Sequence, residues 1–165
     1  ATDGDDAGER FADTIAALLP AGAIYFSMEE GDVQRILGFE NTMVGSDGLP
    51  HDAAPHPRLW GTFPRVLGHY ARGLGLFPLE TAVYKMTGLT AKTFGLVDRG
   101  VVREGAFADL TIFDPATIID RSTYEDASIP SAGIPFVIVG GQVVVDGGNV
   151  TTARPGRAIR APRNK

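Results

Sequence analysis

Cysteine is absent from the 165-residue sequence, which excludes a disulfide framework and any metal site built on thiolates. Histidine is scarce as well, with three residues that all lie between positions 51 and 69. No apolar run approaches the ~18 residues that a membrane-spanning helix requires. The net charge is −5, and Lys and Arg cluster only in the tail after residue 154, which argues against nucleic acid as a partner.

The remaining composition is that of a globular protein, with 44% apolar residues and a length that suits one ordinary domain or two small ones. The chain does not begin with methionine, and we expect it to be a piece of a longer protein. Its N-terminus lacks the basic and apolar regions of a signal peptide. Together with the missing cysteines, this leads us to expect a cytoplasmic location and no membrane partner.

The stretch from Thr42 to Gly61 organises the sequence. Thr42 to Ser46 is a short apolar segment that we predict to be a strand, and it stops at Asp47. A loop bearing proline and histidine then leads to Arg58. Since catalytic carboxylates in α/β enzymes commonly follow buried strands, Asp47 is the first candidate for a catalytic or metal-binding residue. Asp-Gly is also a common turn dipeptide, so a purely structural turn is an equal alternative.

The first part of the chain alternates between helical and extended patterns. Apolar residues at helical spacing predict helices before Pro20 and after Met28, with strands at Ala23–Met28 and Thr42–Ser46. Short apolar strands that alternate with helices are typical of a parallel sheet covered on both faces. Further helices are predicted to begin at Thr62, with Pro64 in the first turn, and then at Pro78 and Thr90.

The pattern changes near residue 100. Strands are predicted at Asp109–Phe113, Pro135–Val139 and Gln142–Val145, the last two joined by a two-glycine hairpin turn. We therefore divide the chain into an α/β part at 1–99 and a small β domain with a tail at 100–165. Two βα units do not complete a parallel sheet, and a full (β/α)₈ barrel needs ~250 residues, so both parts are expected to need further chain.

Other polar residues near Asp47 have competing interpretations. Arg58 lies in the same loop and could bind a carboxylate substrate in bidentate fashion, although a lone arginine is more often a solvated surface residue. His51, Asp52 and His56 match no regular metal-ligand spacing and are interpreted as polar loop residues. By pattern alone, Tyr25 and Met28 are core residues of the first strand. With no cysteine and only three histidines, the sequence supplies no complete metal site.

Four segments together resemble one enzyme family. They are IYFSM, MVGSDGLPHDAAPHPRLWGTFPRVLGHYAR, LETAVYKMTGLTAKTFGL and GAFADLTIFDP. The sequence is similar to the carboxyl-terminal portion of N-acyl-D-amino-acid deacylases (D-aminoacylases), a branch of the amidohydrolase superfamily. The resemblance implies an α/β fold consisting of the last two βα units of a (β/α)₈ metal-dependent hydrolase barrel and part of a small β-sandwich domain. It also implies zinc-dependent hydrolysis of N-acyl-D-amino acids.

The resemblance assigns roles to four residues. Asp47 matches an aspartate that contacts the metal site and moves the proton from the attacking water to the leaving amine. Arg58 matches an arginine that binds the substrate α-carboxylate. Tyr25 and Met28 match positions that line the pocket for the substrate side chain, in contrast to their interpretation from pattern alone.

The family's remaining metal ligands are a His-x-His pair, a bridging cysteine and two further histidines, and this sequence contains none of them. The chain is therefore expected to need the N-terminal part of the same protein as its partner and to be inactive alone. Two alternatives remain open. One is a cyclic-amide amidohydrolase similar to dihydroorotase or hydantoinase, and the other is a non-catalytic subunit that acts only as a binding module.

Overall fold

The structure, a computed structural model, describes residues 5–18, 26–50 and 55–160. In these ranges the helices precede a small antiparallel sheet along the chain. The helical elements are α1 (Asp5–Leu18), α2 (Glu30–Gly38), α3 (Arg58–Arg65), a π-helical segment (Val66–Gly73), α4 (Leu79–Met86) and α5 (Gly88–Thr93). The strands are β1 (Leu110–Ile112), β2 (Phe136–Val139), β3 (Gln142–Asp146) and β4 (Asn149–Val150).

The first two helices form where the apolar spacing predicts them. At the start of α2, the Glu29 carboxylate accepts a hydrogen bond of 2.9 Å from the backbone N–H of Gly31, which caps the helix. The apolar face of α1 is exposed, since Phe11 and Leu18 are 63% and 62% accessible. No helix among the described residues is both long and apolar enough to cross a lipid bilayer.

Helix α3 corrects one predicted boundary, because it begins at Arg58 and not at Thr62. The Thr62 hydroxyl does not cap a helix and instead donates to the backbone carbonyl of Arg58 at 2.8 Å. Pro64 consequently lies inside the helix, where it has no N–H to donate. The helix continues directly into the π-helical segment, so the whole region from Arg58 to Gly73 is one continuous helical rod.

The strand predicted at Thr42–Ser46 is wrong, because residues 42–49 form no regular secondary structure. The strand predicted at Ala23–Met28 is also not seen at residues 26–28, while residues 23–25 lie outside the described ranges. A strand exists only through hydrogen bonds to a neighbouring strand, and no other part of the described chain supplies such a neighbour here. The sequence pattern identified the apolar residues correctly, but it does not show whether a neighbouring strand is available to pair with them.

The antiparallel sheet contains the three strands predicted for the β region and has the strand order β1-β2-β3-β4. Gly140 and Gly141 join β2 to β3 with φ of 55° and 79°, the left-handed conformation that a two-residue hairpin turn requires. The Asp109 carboxylate accepts the Gly140 N–H at 2.7 Å and pairs with Arg99, which ties this turn to β1. A second hairpin, which turns at Gly147 and Gly148, leads into β4.

The buried core lies between the helical rod, α4 and the segment that follows β1. Its members are Val66, Leu67, Tyr70, Ala71, Phe77, Ala82 and Ile118. At Gly68 the backbones come so close that an added Cβ would lie 2.2 Å from the carbonyl oxygen of Ile118. This contact holds the segment around Ile118 directly against the helical rod.

Candidate functional site

Asp47 lies in an unusual backbone conformation, with φ of 49°. Aspartate and asparagine tolerate this left-handed region better than other residues with a Cβ. The following residue must be small, because a Cβ on Gly48 would lie 2.9 Å from Cα of Leu59 in α3. The Asp47 side chain is 80% accessible and therefore points its carboxylate towards solvent at the start of α3.

Arg58 contacts Asp47 at two points. Its Nε donates to the backbone carbonyl of Asp47 at 2.8 Å, and its Nη2 lies 2.9 Å from Oδ2 of the Asp47 carboxylate. The Arg58 side chain is 38% accessible. The structure thus brings together the two residues that the sequence singled out, and it makes them a pair of opposite charges open to solvent.

His56 is connected to Arg58 through the backbone. The Arg58 N–H donates to Nδ1 of His56 at 3.0 Å, which satisfies one of the free N–H groups at the start of α3. Since Nδ1 accepts, the proton of the neutral ring is on Nε2. Burial is the main effect that lowers the pKa of His56, and the positive charge of Arg58 lowers it further against the opposing effect of Asp47. The imidazole is therefore held in its neutral form.

Two aromatic residues extend this group across the surface. The Tyr124 ring packs edge-on against His56, with centroids 5.2 Å apart, and its hydroxyl lies 3.5 Å from Nε2 of His56. Tyr124 also packs against Phe26, with ring centroids 5.1 Å apart. Met28, close to Phe26 in sequence, is 73% accessible. Tyr25, which belongs to the same predicted substrate pocket, lies outside the described residues, as do His51 and Asp52.

Lys85 anchors the segment that leads to Asp47. Its ammonium group is buried and donates to the backbone carbonyls of Phe39, Glu40 and Thr42, the last two at 3.4 Å. Burial lowers the pKa of Lys85. One side chain of α4 therefore satisfies the carbonyls after α2 and sets the point from which residues 42–47 run towards Arg58.

The described residues do not form a metal site. No group of three or more His, Asp or Glu side chains in that part of the chain is arranged to hold a metal ion. The Asp47 carboxylate is the candidate ligand, and it is already paired with Arg58. A zinc ion normally takes three or four protein ligands, so this donor set does not fit zinc by itself.

Sequence reasoning missed three contributors to this site. His56 was interpreted as a polar loop residue, whereas its Nδ1 accepts the N–H of Arg58, the first residue of α3. This role was missed because the helix was predicted to begin at Thr62. Tyr124 and Lys85 carry no local signal, since their contacts are made with residues distant in sequence.

Comparison with known proteins places this site in a family. The sequence matches the profile of the amidohydrolase family over residues 40–145, which is more than half of the chain and includes Asp47 and Arg58. The chain belongs to the amidohydrolase family. Among curated relatives of this amidohydrolase, a D-aminoacylase of Alcaligenes xylosoxydans xylosoxydans is 60% identical over 152 residues, which are 92% of this chain and 31% of the relative.

Solved structures agree with that comparison. A crystal structure of D-aminoacylase superposes with a TM-score of 0.83 at 60% identity, over 90% of this chain and 32% of the other. An N-acyl-D-glutamate deacylase of Bordetella bronchiseptica, solved with zinc and a phosphonate inhibitor, gives a TM-score of 0.78 at 50% identity over 84% of this chain and 30% of the other. The amidohydrolase chain thus spans about a third of the length of the relatives that it matches.

Proposed function

We propose that the chain is the carboxyl-terminal part of a zinc-dependent amidohydrolase that hydrolyses N-acyl-D-amino acids to a D-amino acid and a carboxylate. The proposal rests on the identity of 60% to a D-aminoacylase across 92% of the chain. It includes the last two βα units of a (β/α)₈ barrel at residues 1–99 and part of a β-sandwich at 100–165. The strands of these units are absent from the described residues, and we propose that they form in the full-length protein, where the N-terminal part supplies strands to pair with. A cytoplasmic location is part of the same proposal.

The proposed partner of this chain is the N-terminal part of the same protein. The described residues contain no set of zinc ligands, so the proposed zinc would take its other ligands from that part. The exposed apolar side chains of α1 and of residues 26–28 provide surface against which further chain could pack. We accordingly propose that residues 1–165 alone do not turn over substrate.

Asp47 is proposed to move the proton in the reaction. Its carboxylate accepts a proton from the water whose oxygen attacks the amide carbon, and the tetrahedral adduct then loses its C–N bond. The same proton passes from Asp47 to the departing nitrogen, which regenerates the carboxylate. The solvent-directed position of the Asp47 side chain at the start of α3 supports this role.

Arg58 is proposed to bind the α-carboxylate of the substrate. Its Nε and Nη2 contact Asp47, while Nη1 makes no hydrogen bond among the described residues and is left to donate to a ligand. A substrate carboxylate bound there would lie beside Asp47, and the guanidinium charge would offset the repulsion between the two anions. Met28 and Tyr25 are proposed to contact the substrate side chain.

The test is Asp47→Asn in the full-length protein. Asparagine tolerates the left-handed backbone and still offers Oδ1 to Arg58, so the local structure is retained while the proton acceptor is lost. We expect turnover of an N-acetyl-D-amino acid to disappear while equilibrium binding of that substrate persists. Near-normal turnover would remove Asp47 from the mechanism. Preferred turnover of a cyclic amide in the wild-type protein would instead favour a hydantoinase-like activity.

A further inference from the structure

We infer that His56 and Tyr124 are positioning residues that hold Arg58 in the orientation needed to bind the substrate α-carboxylate. The inference rests on the proposed function of Arg58. It concerns residues that the family resemblance did not assign, and it follows from the contacts of three chain segments, which contain His56, Tyr124 and Phe26.

The first contact fixes the start of α3. Arg58 is the first residue of that helix, and its N–H donates to Nδ1 of His56 at 3.0 Å. The backbone of Arg58 is thereby held at the position from which its side chain reaches both the carbonyl and the carboxylate of Asp47. A change at His56 therefore shifts the Arg58 backbone and, with it, the position of the guanidinium. It does not remove any group that is proposed to contact the substrate.

The second contact fixes the His56 ring. Pro55 and Pro57 restrict the backbone on both sides of His56, but they leave the ring free to rotate. Tyr124 packs edge-on against one face of the ring, at an interplanar angle of 78°. The hydroxyl of Tyr124 is 3.5 Å from Nε2, which is too long for a strong hydrogen bond, so ring packing is the main interaction.

Tyr124 is itself carried by a segment anchored to α3. The Ser131 hydroxyl donates to the carbonyl of Trp60 at 3.0 Å, and Arg65 pairs with Asp120 at 3.2 Å. These contacts join both sides of the segment containing Tyr124 to the same helix that begins with Arg58. The segment can therefore support the His56 ring as a fixed wall instead of a free loop.

The third segment brings in the proposed substrate pocket. Phe26 also packs against Tyr124, with ring centroids 5.1 Å apart, and it lies between Tyr25 and Met28 in sequence. Tyr124 thus contacts both His56 and the chain segment that includes Met28, which is proposed to contact the substrate side chain.

The experiment compares two substitutions of His56 in the full-length protein. Asparagine places its side-chain oxygen where Nδ1 lies and can still accept the Arg58 N–H, whereas glutamine places its polar group near the position of Nε2. For an N-acetyl-D-amino acid we expect His56→Gln to raise KM about fivefold or more with little change in kcat, because one capping hydrogen bond is lost. We expect His56→Asn to raise KM less than His56→Gln does, since the hydrogen bond to Arg58 is retained and only the ring packing with Tyr124 is lost.

A second pair of variants tests the support by Tyr124. Tyr124→Phe retains the ring contacts with His56 and Phe26 and should leave KM near the wild-type value. Tyr124→Leu removes the aromatic packing and should raise KM about threefold to tenfold. If Phe raises KM as much as Leu, the hydroxyl contact and not the ring is responsible, and the packing argument is overturned. This pair also decides the matter if His56→Gln does not fold.

A substrate without the carboxylate distinguishes a change in the position of Arg58 from a general loss of structure in the variants. For the matching N-acetyl amine, which has no group for Arg58 to bind, kcat/KM should be equal in wild type, His56→Gln and Tyr124→Leu. An equal loss on both substrates would show a merely structural role and overturn the inference. Arg58→Ala in the same series tests the proposed function: an unchanged KM there refutes the arginine's role. A raised KM with unaffected His56 and Tyr124 variants refutes only the inference.

Discussion

The Arg58 side chain contacts both the backbone and the carboxylate of Asp47. Nε of Arg58 is 2.8 Å from the Asp47 carbonyl oxygen, and Nη2 is 2.9 Å from Oδ2 of Asp47. The pair joins the end of the irregular segment 42–49 to the first residue of α3. A guanidinium can form such a planar two-point contact, which an ammonium group cannot reproduce. Arg58 is therefore proposed to bind an anionic substrate with the N–H groups that this contact leaves free.

Substitution of Arg58 should separate charge from geometry. We expect Arg58→Ala to raise KM for an N-acetyl-D-amino acid by about a hundredfold, because a charge-assisted bidentate contact is removed. Arg58→Lys keeps the charge but loses the two-point contact, and should restore only part of the affinity. Steady-state kinetics of the full-length protein provides the measurement, with the exposed Arg35→Ala as a control. A lysine variant indistinguishable from wild type would argue against a bidentate role.

Gly48 should be needed for the position of Asp47. An added methyl group would lie 2.8 Å from Cδ1 and 2.9 Å from Cα of Leu59, so the segment must move away from α3. Because a shift of about 1 Å at a reacting group can lower the rate a hundredfold, Gly48→Ala should lower kcat by about tenfold or more. At Gly45 an added Cβ meets no atom within 4 Å, and Gly45→Ala is the matched control. Equal kcat values for both variants would contradict this account.

Lys85 should stabilise the segment before Asp47. Lys85→Met leaves the carbonyls of Phe39, Glu40 and Thr42 without their donor, and an unmet buried acceptor costs about 1–3 kcal/mol. The substitution also removes the free-energy cost of burying the ammonium group, which offsets part of this destabilisation. We expect a lower unfolding temperature for Lys85→Met than for the control Lys92→Met, at an exposed position of α5. Thermal unfolding followed by circular dichroism would settle the difference, and matching temperatures would reject the anchoring role.

His56 should make stability depend on mildly acidic pH. Burial and the charge of Arg58 lower the pKa of this imidazole in the folded protein. As the pH falls below the ordinary value of about 6.5, the unfolded chain takes up a proton first, so the free energy of unfolding decreases. The stability that neutral His56 contributes is fully present above pH 6.5, and it is lost as the pH falls towards the pKa of His56 in the folded protein.

The measurement for His56 is the unfolding temperature at several pH values between 7.5 and 5 in wild type and His56→Asn. Asparagine does not titrate in this range, so the variant should show a smaller decrease towards low pH. Parallel curves for the two proteins would mean that protonation of His56 contributes nothing to the pH dependence.

The sequence by itself determined the parts that depend on local chemistry. Helical spacing located α1, α2 and α4, and the Gly140-Gly141 pair located a hairpin because glycine adopts positive φ without steric strain. The same local logic selected Asp47 and Arg58 as candidates, since a carboxylate and a guanidinium follow an apolar segment in one loop. It also predicted a strand at Thr42–Ser46, which the structure does not contain, because strand pairing is not a local property.

Tertiary structure alone decided how the candidates meet. The start of α3 at Arg58, the approach of Leu59 to Gly48 and the packing of Tyr124 against His56 bring together residues from separate segments. Contacts such as that of Lys85 with the carbonyls after α2 join residues more than 40 positions apart, and no local pattern encodes them. The physical reason is that side-chain type sets what a residue can bind, whereas chain packing sets what lies within its reach.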